Sequence, residues 1–280
     1  MPTARTEDRP ELESIARRLR LNIVTSTTAA GSGHPSTSLS MVEIVTMLYF
    51  GGVMRYDPQQ PDDPDRDRFI LSKGHGAPGL YAVLAEADYF PVDDLMTLRR
   101  LGSPLEGHPN MCRLPGVEAS TGSLGQGLSI GVGHALAAKL DGRDYRVYVM
   151  TGDGETEQGQ IWEAYMYAGN QGLDNLTVIL DRNGYQQTAA VDDVQPLDPL
   201  VDKLRAFNVE AMEVDGHSFD ELQKAFDWAR SRTGAPQVIV ANTVKGKGVS
   251  LLEAEPHKWH GKPIPEDQLE KALEEIGASR

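Results

Sequence analysis

The chain has 280 residues, 40% of them hydrophobic, and a formal net charge of −14. That length suits one large or two small domains with a packed core, and no apolar run approaches a membrane span. The acid excess argues against nucleic acid, where affinity rests on neutralising phosphates with basic residues. Any anionic ligand would then have to be held by local groups and not by the general field. One cysteine, Cys112, rules out an internal disulfide, and the mixed-charge N-terminus lacks an apolar signal core, so the expected location is a reducing cytoplasm.

Residues 1–10 read as a flexible N-terminus and 11–280 as a single domain. Pro10 opens a first helix predicted over Glu11–Ala29, with Ile15, Leu19 and Val24 among its apolar positions. Gly31-Ser32-Gly33-His34-Pro35 breaks it, and a second helix is predicted from Leu39 to Phe50. The proline- and aspartate-rich stretch 57–67 is an exposed loop. Arg68–Ser72 reads as a strand emptying into Lys73-Gly74-His75-Gly76, followed by a helix over Leu80–Ala87. Further strands are predicted at Tyr145–Met150, Leu176–Leu180, Val209–Val214 and Gln237–Ala241, with helices between them. Alternation of this kind predicts an α/β fold, a mostly parallel sheet covered by helices on both faces.

Two of these strands end in complementary chemistry. The first runs into Gly152-Asp153-Gly154 and the next into Asp181-Arg182-Asn183. Strands that deliver a carboxylate and an amide to one edge of a sheet make a divalent-metal site. Mg2+ (or Ca2+ or Mn2+) takes oxygen ligands, and magnesium is usually held by one or two protein groups plus phosphates. Asp153 offers an anionic oxygen, Asn183 a neutral one, and the carbonyl of Tyr185 a third. Gly152 and Gly154 let the turn bend and expose backbone N–H groups to an anion. The helical spacing from Gln160 to Gly169 aims a helix N-terminus at a diphosphate. Gly-Asp-Gly alone usually marks a tight turn. The succession of strand, Gly-Asp-Gly, helix, strand and Asp-Arg-Asn-Gly is what resembles the signature of thiamine diphosphate enzymes.

In open parallel sheets, ligands bind beyond the carboxyl ends of the strands. Lys73-Gly-His-Gly, Gly-Asp-Gly, Asp-Arg-Asn and Thr243-Val-Lys-Gly-Lys-Gly248 are therefore expected on one rim. Four of the seven histidines stand in glycine-bracketed turns: His34, His75, His108 and His260. Singly, each suits a structural role as well as a catalytic one. Together they suit sugar chemistry, because imidazole exchanges protons near neutral pH.

The chain resembles the N-terminal half of transketolase, in the form found where the enzyme is split into two polypeptides. The resemblance runs from Leu12 to about Leu269. It rests on Ser32-Gly-His-Pro35, Asp65-Arg-Asp-Arg-Phe69, Ser72-Lys-Gly-His-Gly76, Gly107-His-Pro109 and Gly122-Ser-Leu-Gly-Gln-Gly127. It continues through Gly152-Asp-Gly154, Asp181-Arg-Asn-Gly184, Val244-Lys-Gly-Lys-Gly248 and Trp259-His-Gly261. It implies transfer of a two-carbon ketol unit from a ketose phosphate or related donor to an aldehyde acceptor on thiamine diphosphate. By the same resemblance, Asp153, Asn183 and the Tyr185 carbonyl are metal ligands. His75 and His260 contact the diphosphate, His34 and His108 bind and deprotonate sugar hydroxyls, and Gly122, Ser123 and Leu124 flank the aminopyrimidine. Arg99 matches a basic residue near the acceptor phosphate.

The glutamate that activates the cofactor's aminopyrimidine in this family lies in the other half. The resemblance thus implies inactivity alone and a separate C-terminal, pyrimidine-binding subunit, in an α2β2 assembly. Departures cluster near the site. Gln158 stands where glutamate is common, Gln187 where an isoleucine flanks the thiazolium, Thr188-Ala189 in place of Asp-Gly, and Ser36-Thr37 where glycines are frequent. They point to a specialised donor or acceptor. Three competing readings remain open: the α subunit of a 2-oxo acid dehydrogenase, deoxyxylulose phosphate synthase chemistry, and a non-catalytic cofactor-binding subunit.

Overall fold

The computed structural model describes residues 2–278. A short strand β1 (Thr3–Thr6) precedes helix α1 (Arg9–Ala30), then come α2 (Pro35–Ser40), α3 (Val42–Phe50) and β2 (Gly51–Tyr56). Strand β3 (Arg68–Leu71) leads to α4 (Ala77–Glu86), and after a long loop to α5 (Gln126–Leu140). Strand β4 (Val147–Gly152) is followed by a one-turn helix α6 (Asp153–Thr156) and by α7 (Gly159–Gln171). Then follow β5 (Leu176–Arg182), α8 (Val191–Val194), α9 (Leu200–Ala206), β6 (Glu210–Asp215), α10 (Phe219–Ser231) and β7 (Gln237–Asn242). Helices α11 (Ser250–Ala254) and α12 (Glu266–Ala278) close the described chain.

The central sheet has five strands in the order β3-β4-β5-β7-β6, every pair parallel. Side chains along its strands alternate between two cores. Tyr148, Met150, Ile179, Ile239 and Ala241 pack on the side of α1, α3, α4 and α10. Val147, Val149, Val178, Leu180, Val238 and Val240 pack on the side of α5, α7 and α9. Both faces are covered, which is why these strands read as unbroken apolar runs and not as an alternation of apolar with polar.

Local chemistry sets the ends of the first helix. Asp8 caps α1 by accepting from Glu11 N at 3.0 Å, Pro10 occupies its first turn, and Gly31 ends it in the left-handed region at φ 61°. Two expectations need correcting, and two features went unread. Residues 3–6, read as frayed, pair antiparallel with β2. Strand β2 went unread because it is short and opens on Gly51-Gly52, a pair that reads as a turn. The helix expected over Leu39–Phe50 is two helices, α2 and α3, separated at Met41. Asp67, in the Asp-Arg-Asp-Arg motif, is structural: its carboxylate accepts from the backbone N–H groups of Arg55 and Arg146, both at 2.8 Å.

Candidate functional site

Four loops leave the carboxyl ends of β3, β4, β5 and β7 and meet around a cavity of ≈ 280 Å³. Gly152 pairs in register with Asp181, so one further residue on β4 and two on β5 bring Asp153 and Asn183 to the same wall. Both line the cavity, with Tyr185, Gly152, Gly154 and Gln187 beside them. His34, His75 and His260 line it as well. Their ring centroids form a triangle with sides of 5.3, 5.4 and 5.2 Å. Gly122 and Leu124 reach the cavity from the loop before α5.

Three expected residues, His108, Ser123 and Arg99, fall outside this lining. His108 is exposed, 6.4 Å from His34 by ring centroids. It packs on Gly122, where an added Cβ would come within 2.9 Å of its ring at a backbone φ of +153°. Ser123 is exposed and does not line the cavity.

The glycine amides of the Gly152-Asp153-Gly154 loop are already taken. Gly152 N donates to Glu155 Oε2 at 3.0 Å and Gly154 N to Asp153 Oδ1 at 2.8 Å. The expectation that they face an anion is corrected, because carboxylates of the same loop satisfy them first. The helix directly after Gly-Asp-Gly is the single turn α6, and α7 begins only at Gly159. Positive charge comes instead from Lys245. Its Nζ donates to the Tyr185 carbonyl at 3.2 Å and lies 2.8 Å from His260 Nδ1.

The oxygens present fit a divalent cation. Asp153 Oδ2 accepts from Gly184 N at 2.6 Å, while Asn183 Nδ2 lies 3.5 Å from Asp181 Oδ2 and Asn183 Oδ1 accepts from Tyr185 N at 3.2 Å. Burial, and then the nearby Asp181 carboxylate, push Asp153 up to about 6. That is a carboxylate short of a neutralising partner, which a metal ion would supply. Among the described residues no group of three His, Cys, Asp or Glu is placed to hold a metal. One carboxylate with neutral oxygens suits an ion that completes its shell with phosphate oxygens.

Burial keeps the histidines neutral. His34 is lowered to about 4, first by burial and then by Arg99, His108 and Lys245. His260 is lowered to about 3, by burial and then by Lys245. His75 is lowered well below its ordinary value, again chiefly by burial. Lys245 itself is lowered to about 8 by burial, with Asp153 opposing. His34 Nδ1 is buried without a hydrogen-bond partner, an orphan atom that a bound ligand can satisfy. Arg99 braces the loops of His34 and His108, donating to Ser32 Oγ at 2.9 Å and to the Gly107 carbonyl at 3.1 Å.

A buried polar network that the sequence reading missed runs through the cavity wall, where Thr37, Lys73 and Glu155 are lining residues. Lys73 and Asp181, 1% and 0% exposed by side chain, form an ion pair. Lys73 Nζ also donates to the carbonyl and the hydroxyl of Thr37, each at 3.0 Å. Asp181 accepts from Ser40 Oγ at 2.6 Å and from the Thr243 hydroxyl. Glu155 accepts from Ser72 Oγ at 2.5 Å and Gly125 N at 2.9 Å, besides Gly152 N, so one carboxylate ties three of the loops. Ser36 turns its hydroxyl to the Trp259 carbonyl at 2.9 Å. At that position the departure from glycine is a brace for the His260 segment and does not face the cavity. Lysines in glycine-rich loops after β3 and β7 were the available signal for Lys73 and Lys245.

Residues 12–280 match the family model described as transketolase, thiamine diphosphate binding domain. The chain belongs to the transketolase family. The cavity is therefore on the family's thiamine diphosphate-binding domain. Rattus norvegicus transketolase is 45% identical over 270 residues, covering 95% of this chain and 42% of that protein. The chain thus spans less than half the length of the mammalian transketolases it matches. Two other relatives match nearly end to end. The 6-deoxy-6-sulfo-D-fructose transketolase subunit SqwG of Clostridium sp. is 41% identical, covering 97% of this chain and 98% of that one. An apulose-4-phosphate transketolase subunit of Actinobacillus succinogenes is 43% identical, covering 95% and 96%. The crystal structure of Campylobacter jejuni transketolase superposes with a TM-score of 0.90 at 32% identity, covering 97% of this chain and 43% of that one.

Proposed function

We propose that this chain is the metal- and diphosphate-binding subunit of a two-component transketolase, moving a two-carbon ketol unit from a ketose donor to an aldehyde acceptor. The observation that carries this reading is the single cavity lined by Asp153, Asn183, Tyr185 and three histidines. Its near end-to-end match to relatives named as transketolase subunits supports the two-component form. Residues 11–280 act as one domain. The partner is a C-terminal, pyrimidine-binding subunit, the assembly α2β2, and the setting cytoplasmic.

Asp153, Asn183 and the Tyr185 carbonyl would hold Mg2+, or Ca2+ or Mn2+ in its place. His75, His260 and Lys245 would hold the diphosphate, with Gly152, Gly154 and Gln187 lining its bed and Gly122, Ser123 and Leu124 beside the pyrimidine. Bound thiamine diphosphate supplies the carbon nucleophile for the ketose carbonyl. His34 and His260 are neutral imidazoles at neutral pH, so each can accept a proton from a sugar hydroxyl and return it. His108 joins them from the cavity margin. The departures at Gln158, Gln187 and Thr188 fit a specialised donor or acceptor, because Gln187 lines both this cavity and an adjoining one that reaches Lys258 and Lys262.

The test is calorimetric titration with thiamine diphosphate, with and without Mg2+ and a candidate partner subunit, followed by a ketol-transfer assay. Metal-dependent binding, with turnover only in the two-subunit complex, is the expected result. Full turnover by the purified chain alone would overturn the two-component reading. Decarboxylation of pyruvate without ketol transfer would favour the 2-oxo acid dehydrogenase alternative.

A further inference from the structure

A second cavity, of ≈ 500 Å³, is bordered by α1, by the turn into α10 and by Lys247 and Gly248 of the loop after β7. It shares no lining residue with the cofactor cavity. Arg9, Arg17, Arg20 and Lys247 give it four cationic side chains. Two are committed. Arg9 pairs with Asp220. Arg20 lies 2.5 Å from Glu43 Oε1 and donates through Nε to the Lys247 carbonyl at 3.3 Å. The far oxygen of Glu43 lies 2.9 Å from His217 Nδ1, while His217 Nε2 accepts from Val244 N at 2.8 Å. Glu43 and Asp220 are therefore both answered within the protein.

Arg17 and Lys247 are not. Arg17 Nε is buried without a hydrogen-bond partner. Neither side chain makes an ion pair or hydrogen bond among the described residues. The one lining carboxylate left over is Glu13, which is exposed. Two unanswered cations over one cavity are a local excess in a chain of net charge −14. A guanidinium fork beside an ammonium matches the oxygens of a phosphate, with charge-assisted hydrogen bonds to each. The backing is close-packed: Gly248 has φ +92°, and an added Cβ there would lie 3.2 Å from Arg20 Nε. The same loop presents Lys245 to the cofactor cavity and Lys247 to this one.

We propose that this cavity is a second ligand site, for a small phosphate-bearing anion gripped by Arg17 and Lys247 with Arg20 behind them. It uses no cofactor and no residue of the cofactor cavity, so its failure and the failure of the transketolase reading can be told apart.

The full chain is titrated by calorimetry with inorganic phosphate and, separately, with glycerol 3-phosphate. Three proteins are compared: the unaltered chain, Arg17→Gln combined with Lys247→Gln, and Lys245→Gln on the cofactor side. The double variant is expected to lose about tenfold or more in affinity, as removal of charge-assisted contacts does, while Lys245→Gln keeps the phosphate site. Tighter binding of the ester identifies an organic phosphate as the ligand, and equal binding identifies free phosphate. Crystals soaked in tungstate locate the anion independently of affinity, with an anomalous peak expected between Arg17 and Lys247. No such peak, or a double variant that binds phosphate as the unaltered chain does, overturns the proposal.

Discussion

Replacing Lys73 with methionine tests whether the polar network in the wall of the cofactor cavity is held by charge. The substitution keeps most of the side-chain volume but strands the Asp181 carboxylate, which is 0% exposed. Burial alone would raise that carboxyl, yet Lys73 and the hydroxyls of Ser40 and Thr243 hold it below its ordinary value. Removing one partner of a buried pair costs about 3–5 kcal/mol, because the other charge stays desolvated. No discount for solvent is due at this depth. With about 2.1 cal/mol/K of unfolding entropy per residue over 280 residues, Tm should fall by about 5–8 °C. Adding Asp181→Asn removes the stranded charge, so Lys73→Met/Asp181→Asn should recover much of the loss. Differential scanning calorimetry of the two single variants and the double variant gives the coupling. A fall below about 1 °C for Lys73→Met, or strictly additive single effects, would refute the reasoning.

Other consequences can be checked directly. Asp153→Asn removes a buried carboxylate raised to about 6; metal-dependent cofactor binding should fall by about a hundredfold or more in calorimetry, with Tm no lower than in the unaltered chain. Lys245→Met leaves His260 and the Tyr185 carbonyl without their cation, and thiamine diphosphate affinity should weaken about tenfold or more. His34 has a folded value of about 4, below its unfolded value near 6.5, so the unfolded chain binds more protons between those limits. Stability should be unaffected by this group above pH 6.5 and decline as pH falls through about 4, with His34→Asn flattening the decline in urea titrations. Gly154→Ala would set a Cβ 2.8 Å from Gln186 Cβ, costing about 1–3 kcal/mol by overpacking, measured as the shift in urea midpoint.

The α/β class, the parallel sheet and the rim of glycine-bearing loops were legible in the sequence because they follow from local periodicity and turn chemistry. Asp153, Asn183 and the histidines at 34, 75 and 260 were legible for the same reason, each standing beside glycine just past an apolar run or a helix break. Tertiary packing decided the rest. Strand β2 stayed hidden behind the Gly51-Gly52 break, and β1 pairs with a partner some fifty residues away in sequence. Whether an amide faces a ligand or its own loop depends on contacts such as Glu155 with Gly152, Gly125 and Ser72. The burial that lowers His34 and His260, and that sets Lys73 against Asp181, arises only when distant segments close over one another. Residue order dictates which groups a chain carries, but desolvation and charge pairing belong to the folded surroundings.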